Sequence, residues 1–350
     1  MEYRLLGRSG LKVSTLAFGT ATFGGVGALA KWGATDVAGA ARLLDICLES
    51  GVNLIDTANA YSEGRSEEIL GEALDGRRNR LVVATKVRFP MGGGPNDEGL
   101  SRFHIIAQCE ASLRRLRTDH VDLYQIHQWD GSTPLAETLE AMDTLVRSGK
   151  VRYYGVSNFS GWHLMKAMET ARVHNFVPPV SQQIYYSLES RDAEYELIPV
   201  TLDQGLGVLI WSPLAGGLLS GKYRRGKTPE EGGRHLNDWH EPPIADEKRL
   251  YDTIEVLVGI AEGRGVSAAE AALAWLLGRP GVTATIIGAR TEQQLRTNLR
   301  ASELVLTREE RSRLDKVSQQ RLLYPYWHQH QTAAARLGPA DLSLIGPHLG

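Results

Sequence analysis

The chain contains little cysteine, and this scarcity excludes one class of protein. Only two cysteines, Cys47 and Cys109, occur among the 350 residues. A chain of this size with two cysteines is not held together by disulfide bonds, and both residues fall within helix-like stretches of the sequence. We therefore expect two buried thiols in a protein of a reducing compartment.

Long apolar runs and an excess of one charge are also missing. No stretch approaches the roughly 18 to 20 apolar residues that a membrane span needs, and residues 1–7 contain no apolar signal core. The formal net charge of −2 gives no electrostatic basis for binding nucleic acid or an acidic membrane. We therefore expect a cytoplasmic protein whose partner is a small molecule. The sequence leaves the oligomeric state open.

What the sequence does contain is a repeated alternation of short apolar runs and longer helix-periodic runs. Hydrophobic residues make up 42% of the chain, so its 350 residues suffice for one large α/β barrel or two modest domains. Most of the short runs are rich in Val, Ile or Leu, as parallel strands are when helices cover both faces of the sheet. The candidate strands are 15–19, 52–56, 81–86, 121–127, 151–157, 180–183, 207–211 and 283–288.

Eight such strands with helices between them predict a single closed (β/α)8 barrel, or TIM barrel, over residues 1–350. Segments 3–6 and 11–14 flank a glycine turn and predict a hairpin that caps the N-terminal end of the barrel. The Gly- and Pro-rich segment 216–245 predicts a long functional loop after strand seven. The tail 321–350 carries three aromatic residues. It is expected near the substrate pocket as a lid, with packing against the core as the alternative.

Four chemically active residues stand at or just after the predicted ends of neighbouring strands. Asp56 ends the second strand, Lys86 the third and His127 the fourth, while Tyr61 follows in the loop after the second. Each has an ordinary alternative: the aspartate as a turn or capping residue, the tyrosine as packing, the lysine as a solvated charge and the histidine as a semi-buried side chain. Because the active sites of such barrels lie where the strands end, the four together favour a catalytic site.

These residue types suit the reduction of a carbonyl group, which needs a hydride on carbon and a proton on oxygen. The reference pKa of tyrosine is about 10, and a cationic Lys86 is expected to lower the pKa of Tyr61 toward a useful range. Asp56 is expected to hold the ammonium group of Lys86 in place. His127 is expected to donate a hydrogen bond that orients the carbonyl oxygen and stabilises its developing charge.

Five stretches of the chain, including those that carry these four residues, form a set of motifs. They are Asn53-Leu54-Ile55-Asp56-Thr57-Ala58-Asn59-Ala60-Tyr61, Gly64-Arg65-Ser66-Glu67, Ala84-Thr85-Lys86, Asp122-Leu123-Tyr124-Gln125-Ile126-His127 and Gly155-Val156-Ser157-Asn158-Phe159. The set resembles the aldo-keto reductase superfamily in content and order, from Phe18 to about Asn298. The resemblance implies a catalytic tetrad of Asp56, Tyr61, Lys86 and His127. It also implies a reversible, NAD(P)H-dependent reduction of an aldehyde or ketone to an alcohol, although the superfamily is similar to potassium-channel β-subunits as well.

The resemblance further implies where a nicotinamide cofactor binds. Ser157, Asn158 and Gln183 resemble the groups that hold the nicotinamide carboxamide, a task that suits side chains with donors and acceptors at fixed angles. Trp211 stands where the family places an aromatic ring against the nicotinamide. The residues expected near the ribose are Thr20 and Asp56, and those expected around the pyrophosphate are Ser212, Leu214, Gly216, Leu218 and Lys222.

The segment after the last predicted strand is expected to select between the two nicotinamide nucleotides. An arginine beside a helix N-terminus is a good anion site, so Arg290 is expected to bind the 2′-phosphate of NADPH. By resemblance, the neighbouring contacts are Gly288, Ala289, Gln294 and Asn298. Gly288 departs from branches of the family that carry lysine there, but Arg290 still favours NADPH/NADP+ over NADH. For Arg290 alone, an exposed charge is the alternative.

A glycine-rich stretch offers a different interpretation of the cofactor site. Residues 25–30 fit the loose G-x-G-x-x-A form of a Rossmann loop, but no apolar strand directly precedes them, and Asp45 lies inside a helix-periodic run. We therefore interpret the stretch as a loop at the rim of the pocket, with Trp32 as a substrate contact. Arg88 and Trp129 are expected to line the same pocket, suited to aromatic or alicyclic carbonyls, or else to pack. No metal site is expected.

Two rival functions are left open by the residues. The first is a barrel enzyme that forms a Schiff base through Lys86, which trapping of substrate with borohydride would detect. The second is an NADPH-binding regulatory subunit with little turnover, in which the intact tetrad has no use. The direction of the reaction and the substrate are open as well, because a fold does not determine a substrate.

Overall fold

The computed structural model of the protein describes residues 1–226 and 241–349. Its strands, numbered β1 to β10 along the chain, are Tyr3–Leu5, Lys12–Ser14, Leu16–Gly19, Leu54–Asp56, Val82–Val87, Val121–Ile126, Val151–Ser157, Ser181–Tyr185, Gly207–Trp211 and Val282–Ile287. Strands β3 to β10 close into a barrel in which every neighbouring pair is parallel. The predicted (β/α)8 barrel is thus confirmed, and its strand ends differ from the predicted ones by two residues at most.

Helices follow the barrel strands along the chain and cover the outside of the barrel. The α-helices of the described residues, numbered α1 to α12, are Val37–Glu49, Arg65–Ala73, Arg102–Arg115, Leu135–Arg147, Gly161–His174, Leu197–Gln204, Glu247–Arg264, Ala268–Leu277, Glu292–Leu299, Arg308–Ser318, Tyr326–Thr332 and Pro339–Ile345. Several begin at a polar cap: Asp36, Ser101 and Ser160 each accept a hydrogen bond from a backbone N–H of the first turn. Within the described ranges, no helix combines the length and the apolar character needed to cross a membrane.

The hairpin closes one end of the barrel, as predicted. Strands β1 and β2 pair antiparallel, with Arg4 opposite Val13. Leu6 and Val13 are fully buried in one cluster with the barrel residues Ala17 and Leu123. Apolar side chains therefore fill the N-terminal end of the barrel, and the opposite end is left for polar groups.

The layer between the strands and the outer helices contains both cysteines. Cys47 on α1 and Cys109 on α3 are free and buried in the same apolar cluster. Burial raises the pKa of each thiol to about 12. The two residues therefore behave as core side chains, in keeping with the expected burial.

The predicted long loop after strand seven is described only at its two ends, because residues 227–240 lie outside the described residues. On the near side the chain makes a short turn, Ala215–Ser220, in which Leu218 and Leu219 are buried. On the far side the side chain of Asp246 caps α7, where the helical pattern of the sequence resumes. The extent and the function of the loop stay predictions.

The tail forms α11 and α12 and packs beside α6. The ring of Tyr326 stacks on that of Tyr195 at 5.8 Å between centroids, and its hydroxyl donates to Glu196 at 3.3 Å. Leu344 and Ile345 of α12 are buried. These contacts anchor the tail to the chain that follows β8, and its expected role as a lid stays a prediction.

Candidate active site

A fully buried lysine is the centre of the polar cluster at the C-terminal end of the barrel. Lys86 lies on β5 with none of its side chain exposed, and its Nζ donates to Asp56 Oδ2 at 2.5 Å. The same ammonium donates to the backbone oxygen of Thr57 at 2.8 Å and to the hydroxyl of Tyr61 at 3.3 Å. Strand β4 ends at Asp56 beside β5 in register, so the topology of the sheet forms this pair. Three acceptors around one ammonium satisfy all of its donors.

Tyr61 reaches this cluster from a sharp turn after β4. The turn runs from Tyr61 to Gly64, and Ser62 and Glu63 have φ values of 49° and 57°. The hydroxyl of Ser62 donates to the backbone oxygen of Phe23 at 2.7 Å and so holds the turn against the chain that follows β3. Non-glycine residues at positive φ are uncommon, and such strain is often stored at functional sites.

Burial decides the acidity of the phenol. Desolvation raises the pKa of Tyr61, the charge of Lys86 lowers it, and the net pKa lies above its ordinary value. The expectation that Lys86 would bring this pKa down to a useful range is therefore wrong in its net direction, because the loss of water outweighs the nearby cation. Burial likewise lowers the pKa of Lys86, but Asp56 and Tyr61 outweigh it and the net pKa is raised. At neutral pH the phenol is protonated and the lysine is charged.

His127 lies directly after β6 and faces the phenol. The rings of His127 and Tyr61 are 5.8 Å apart in an edge arrangement, and that of Phe89 lies 4.6 Å from the imidazole. Burial, with the charges of Lys86 and Arg88, holds the pKa of His127 well below its usual range. The imidazole is therefore neutral near pH 7 and carries one N–H. The structure thus brings all four predicted catalytic residues together.

Gln125 belongs to this cluster although its sequence position was not singled out. It is fully buried, and its Nε2 donates to Asp56 Oδ1 at 3.0 Å. Its Oε1 accepts from Nε2 of Gln183 at 3.2 Å, and that Nε2 also donates to Asp56 Oδ1 at 2.9 Å. A signal was present, because side chains alternate along a strand and Gln125 is two residues before His127. A polar residue in phase with His127 points to the same side of β6.

The residues expected at the carboxamide lie around the ends of β7 and β8. Ser157 Oγ donates to the backbone oxygen of Gln183 at 3.0 Å, and Asn158 Nδ2 donates to that of His127 at 3.1 Å. Trp211 Nε1 donates to Asn158 Oδ1 at 3.0 Å. In the described part of the chain no donor reaches Oε1 of Gln183, whose amide nitrogen is turned toward Asp56. An amide oxygen without a donor is an acceptor that suits the amide group of a nicotinamide carboxamide.

The residues expected at the phosphates follow β9 and β10, which are neighbours in the barrel. After β9, the hydroxyl of Ser212 accepts from the backbone N–H of Gly216 at 3.1 Å. After β10, Gln294 Oε1 accepts from the backbone N–H of Arg290 at 2.9 Å, and Asn298 Nδ2 donates to the backbone oxygen of Gly288 at 3.4 Å. One side of the mouth therefore carries both expected phosphate segments.

Thr20, expected near the ribose, is fully buried at the end of β3. Its hydroxyl pairs with that of Ser66 at 2.8 Å, and its backbone N–H donates to the backbone oxygen of Asp56 at 2.9 Å. The side chain therefore ties β3 to the start of α2. It supports the loop that carries Tyr61.

The model of the aldo/keto reductase family matches residues 15–319, which include all four residues of the cluster and the expected cofactor segments. The chain belongs to the aldo/keto reductase family.

Curated relatives match this aldo/keto reductase over nearly the same length. A Bacillus subtilis (strain 168) protein named "Uncharacterized oxidoreductase YrpG" is 43% identical over 320 residues, which are 88% of this chain and 93% of the relative. Proteins of Arabidopsis thaliana and Oryza sativa subsp. japonica, each named "Probable voltage-gated potassium channel subunit beta", are 38% and 39% identical over 313 residues. Those two matches cover 87% of this chain and 92% of each relative. The family and the oxidoreductase relative identify the chain as an oxidoreductase.

The three residues expected to line the substrate pocket of the reductase lie in different settings. Trp129 stacks on His163 at 3.9 Å between centroids and packs against Phe159 and Trp162, so part of its surface is committed to α5. Trp32 is half-buried just after a short turn in the rim loop 25–30, where the Rossmann interpretation has no preceding strand to support it. Arg88 follows the end of β5, two residues after Lys86, on the side of the mouth occupied by His127.

Proposed function

We propose that this aldo/keto reductase uses NADPH to reduce an aldehyde or ketone to an alcohol, with Tyr61 as the proton donor. The observation that carries the proposal is the Tyr61 hydroxyl, 3.3 Å from Lys86 Nζ, which in turn lies 2.5 Å from Asp56 Oδ2. The neutral ring of His127 lies beside the phenol. An acid, a cation that stabilises its conjugate base and a hydrogen-bond donor are the groups that carbonyl reduction requires.

In the proposed step, the carbonyl oxygen accepts hydrogen bonds from Tyr61 and from the N–H of His127. When bound, the reduced nicotinamide supplies the hydride. Tyr61 gives its proton to the carbonyl oxygen, and the phenolate that remains faces the ammonium group of Lys86. In the reverse direction the phenolate accepts the proton of the alcohol, so the same residues serve both directions.

In this proposal two sets of residues bind the cofactor, one at the nicotinamide and one along the rest of the nucleotide. Ser157, Asn158 and Gln183 would hold the carboxamide, and Trp211 would lie against the ring. The residues proposed for the rest of the nucleotide are Thr20 and Asp56 near the ribose, Ser212, Leu214, Gly216, Leu218 and Lys222 at the pyrophosphate, and Gly288, Ala289, Arg290, Gln294 and Asn298 at the adenosine end. The guanidinium of Arg290 beside the start of α9 supports NADPH over NADH.

The experiment that tests the proposal is a panel of aldehydes, ketones and sugars assayed by the absorbance of NADPH. Tyr61→Phe removes only the hydroxyl and leaves the ring that packs against His127. We expect this variant to lose nearly all turnover while its affinity for NADPH, measured by fluorescence, stays within a few-fold of the wild-type value. Full activity in the variant would refute the mechanism.

The Schiff-base alternative is disfavoured by the state of Lys86. A lysine nucleophile must be uncharged to attack a carbonyl, and such lysines are activated by a lowered pKa. The pKa of Lys86 is raised by Asp56 and Tyr61, which outweigh the effect of burial, and its three donors are all occupied. Borohydride treatment in the presence of substrate is expected to leave the mass of the protein unchanged.

A second candidate function rests on the plant relatives. Two relatives of this chain bear names that identify them as channel β-subunits, so a regulatory subunit with little turnover is the competing proposal. The same substrate panel separates the two. A protein that binds NADPH but reduces no carbonyl compound in the panel would favour the regulatory role.

A further inference from the structure

A second cation lies at the mouth of the barrel and is not used by the proposed proton transfer. Arg88 follows β5 and adopts φ 150°, which is unusual for a side chain other than glycine. Its backbone oxygen accepts from the N–H of Gly99 at 2.8 Å, and the next residue, Leu100, donates its N–H to Asp130 at 2.8 Å. The loop that carries Arg88 is thus folded back and fixed at both ends.

The guanidinium of Arg88 lies beside the aromatic ring that packs against His127. Its Cζ is 5.5 Å from the centroid of Phe89, whose ring is 4.6 Å from that of His127. Its Nε is buried and has no hydrogen-bond partner among the described residues, which also give Arg88 no ion pair. A buried donor without an acceptor costs free energy, and for a guanidinium the natural acceptor is a carboxylate or phosphate.

The position in the barrel separates Arg88 from the proposed phosphate segments of the cofactor. The barrel order is β10-β3-β4-β5-β6-β7-β8-β9, so β5 stands opposite the pair formed by β9 and β10. Arg88 therefore belongs to the side of the mouth that Phe89 and His127 line. An anion bound there is an anion of the carbonyl compound rather than of the nucleotide.

We propose that Arg88 binds the carboxylate or phosphate of an anionic aldehyde or ketone and so selects this class of substrate. The proposal rests on the proposed function, because it requires the carbonyl group to reach Tyr61 and His127. It differs from the aromatic or alicyclic carbonyls expected from Trp32 and Trp129 alone. In the bound state, the two oxygens of the anion accept from the fork of N–H groups that Arg88 presents.

Two acidic side chains near the mouth bear on this selectivity. Arg88 acts electrostatically on Asp130 and helps to lower its pKa, but the carboxylate of Asp130 is committed to the backbone N–H groups of Leu100 and Ser132 and to the hydroxyl of Thr133. Glu241 acts on Tyr61 from the start of the second described range and raises the pKa of that phenol. Neither carboxylate forms an ion pair with Arg88, so the guanidinium can pair with the anionic group of a substrate.

The test compares matched carbonyl compounds that differ in charge, at saturating NADPH. For the carboxylate arm the pairs are 4-carboxybenzaldehyde with benzaldehyde and 4-oxobutanoate with butanal. For the phosphate arm the pair is glyceraldehyde 3-phosphate with glyceraldehyde. We expect kcat/KM of the wild type to favour the anion in at least one arm, and the arm with the larger preference identifies the anion.

Arg88→Met is expected to lower the ratio of kcat/KM for the anionic compound to that for its neutral partner by about 10- to 100-fold. The loss should appear mainly in KM, and Arg88→Lys should retain part of the preference. The matched control is Arg102→Met, which removes an exposed arginine paired with Glu140 on a neighbouring helix. This control is expected to leave the ratio unchanged.

A binding measurement makes the outcome independent of turnover. Benzoate and benzamide are titrated calorimetrically into the NADPH-loaded wild type and into the two Arg88 variants. Tighter binding of benzoate that is lost in Arg88→Met supports the inference, even if no carbonyl compound is reduced and the proposed function fails. Equal loss for charged and neutral compounds, or no preference for the anion in the wild type, would overturn it.

Discussion

The Asp56–Lys86 pair inside the barrel and the rim of the mouth differ in how completely their polar groups are paired. Inside, Asp56 accepts from three side chains and Lys86 donates to three acceptors. At the rim, Nε of Arg88 and Nδ1 of His127 are buried without a partner in the described part of the chain. Paired buried groups fix one another, whereas an unpaired one is a candidate for a ligand. The residues inside the barrel therefore indicate the type of reaction, and the residues at its rim indicate the class of substrate.

The inner cluster consists of Lys86, Asp56 and the two glutamines that donate to Asp56, Gln125 and Gln183. Of the changes considered, removal of Lys86 is expected to disrupt this cluster most. In Lys86→Met the carboxylate of Asp56 is left buried without its cation, which costs about 3–5 kcal/mol of folding free energy. The pKa of Tyr61 rises further because the cation that lowers it is gone. We expect kcat to fall by about 100- to 10,000-fold, the range of general acid catalysis.

The double variant Lys86→Met/Asp56→Asn separates the effect of Lys86 on folding stability from its effect on turnover. It removes both charges and should recover most of the melting temperature measured by circular dichroism, but none of the turnover. Recovery of turnover in the double variant would mean that Lys86 serves only the fold.

Gln125→Leu tests whether the inner cluster also sets the cofactor site. The change removes one donor from Asp56 and the acceptor that orients the amide of Gln183. We expect kcat to fall about 10-fold, as for the loss of one hydrogen bond to a charged group, and KM for NADPH to rise. Steady-state kinetics with varied NADPH measures both constants.

Gln182→Leu is the matched control for this prediction. Gln182 is equally buried on β8, but its Nε2 donates to the backbone oxygen of Phe159 at 2.8 Å, away from Asp56. It should lower the melting temperature to a similar extent and leave KM for NADPH unchanged. A change of KM in both variants would show a general loosening of the barrel instead of a specific role of Gln125.

Glu241→Gln removes a charge at the rim and has the smallest expected effect. In the reduction Tyr61 acts as an acid, so kcat/KM is expected to stay constant at pH values below the pKa of this phenol and to fall at pH values above it. Glu241 raises that pKa, so its removal lowers the pKa and moves the alkaline fall to lower pH. Because the pKa of His127 lies well below its usual range, that imidazole should produce no acid limb near pH 6.5.

Both expectations are checked by measuring kcat/KM from about pH 5 to 11. This pH range contains the reference pKa values of histidine and tyrosine. Glu247→Gln, at the exposed start of α7, is the control and should leave the profile in place. An unchanged profile in Glu241→Gln would mean that the charge at residue 241 does not reach the phenol.

The fold could be predicted from the sequence because strand-forming runs and strand ends are local features. The apolar run that ends at Asp56 and the one that contains Lys86 each mark a strand, and barrel closure then brings their ends together. The net direction of the pKa of Tyr61 could not be predicted, because the sequence shows which charges are near but not how much water the fold removes. The expectation took account of Lys86 and omitted burial.

Gln125 was missed for a different reason. Its residue type does not suggest proton transfer, and only its phase along β6 relative to His127 indicates an inward position. Arg88 was named as a pocket residue, but its lack of a partner is a property of the folded chain. Pairing depends on distances between segments that are far apart in sequence, and no local pattern reports them.

The burial of Cys47 and Cys109 has a practical consequence. Maleimides and other thiol reagents react with the thiolate, and a pKa of about 12 leaves almost none of it at neutral pH. The two native thiols of the wild-type chain are therefore expected not to react with such reagents at neutral pH. One cysteine introduced at an exposed position near the mouth, such as Ser132, would accept a fluorescent probe or spin label without prior removal of the native thiols.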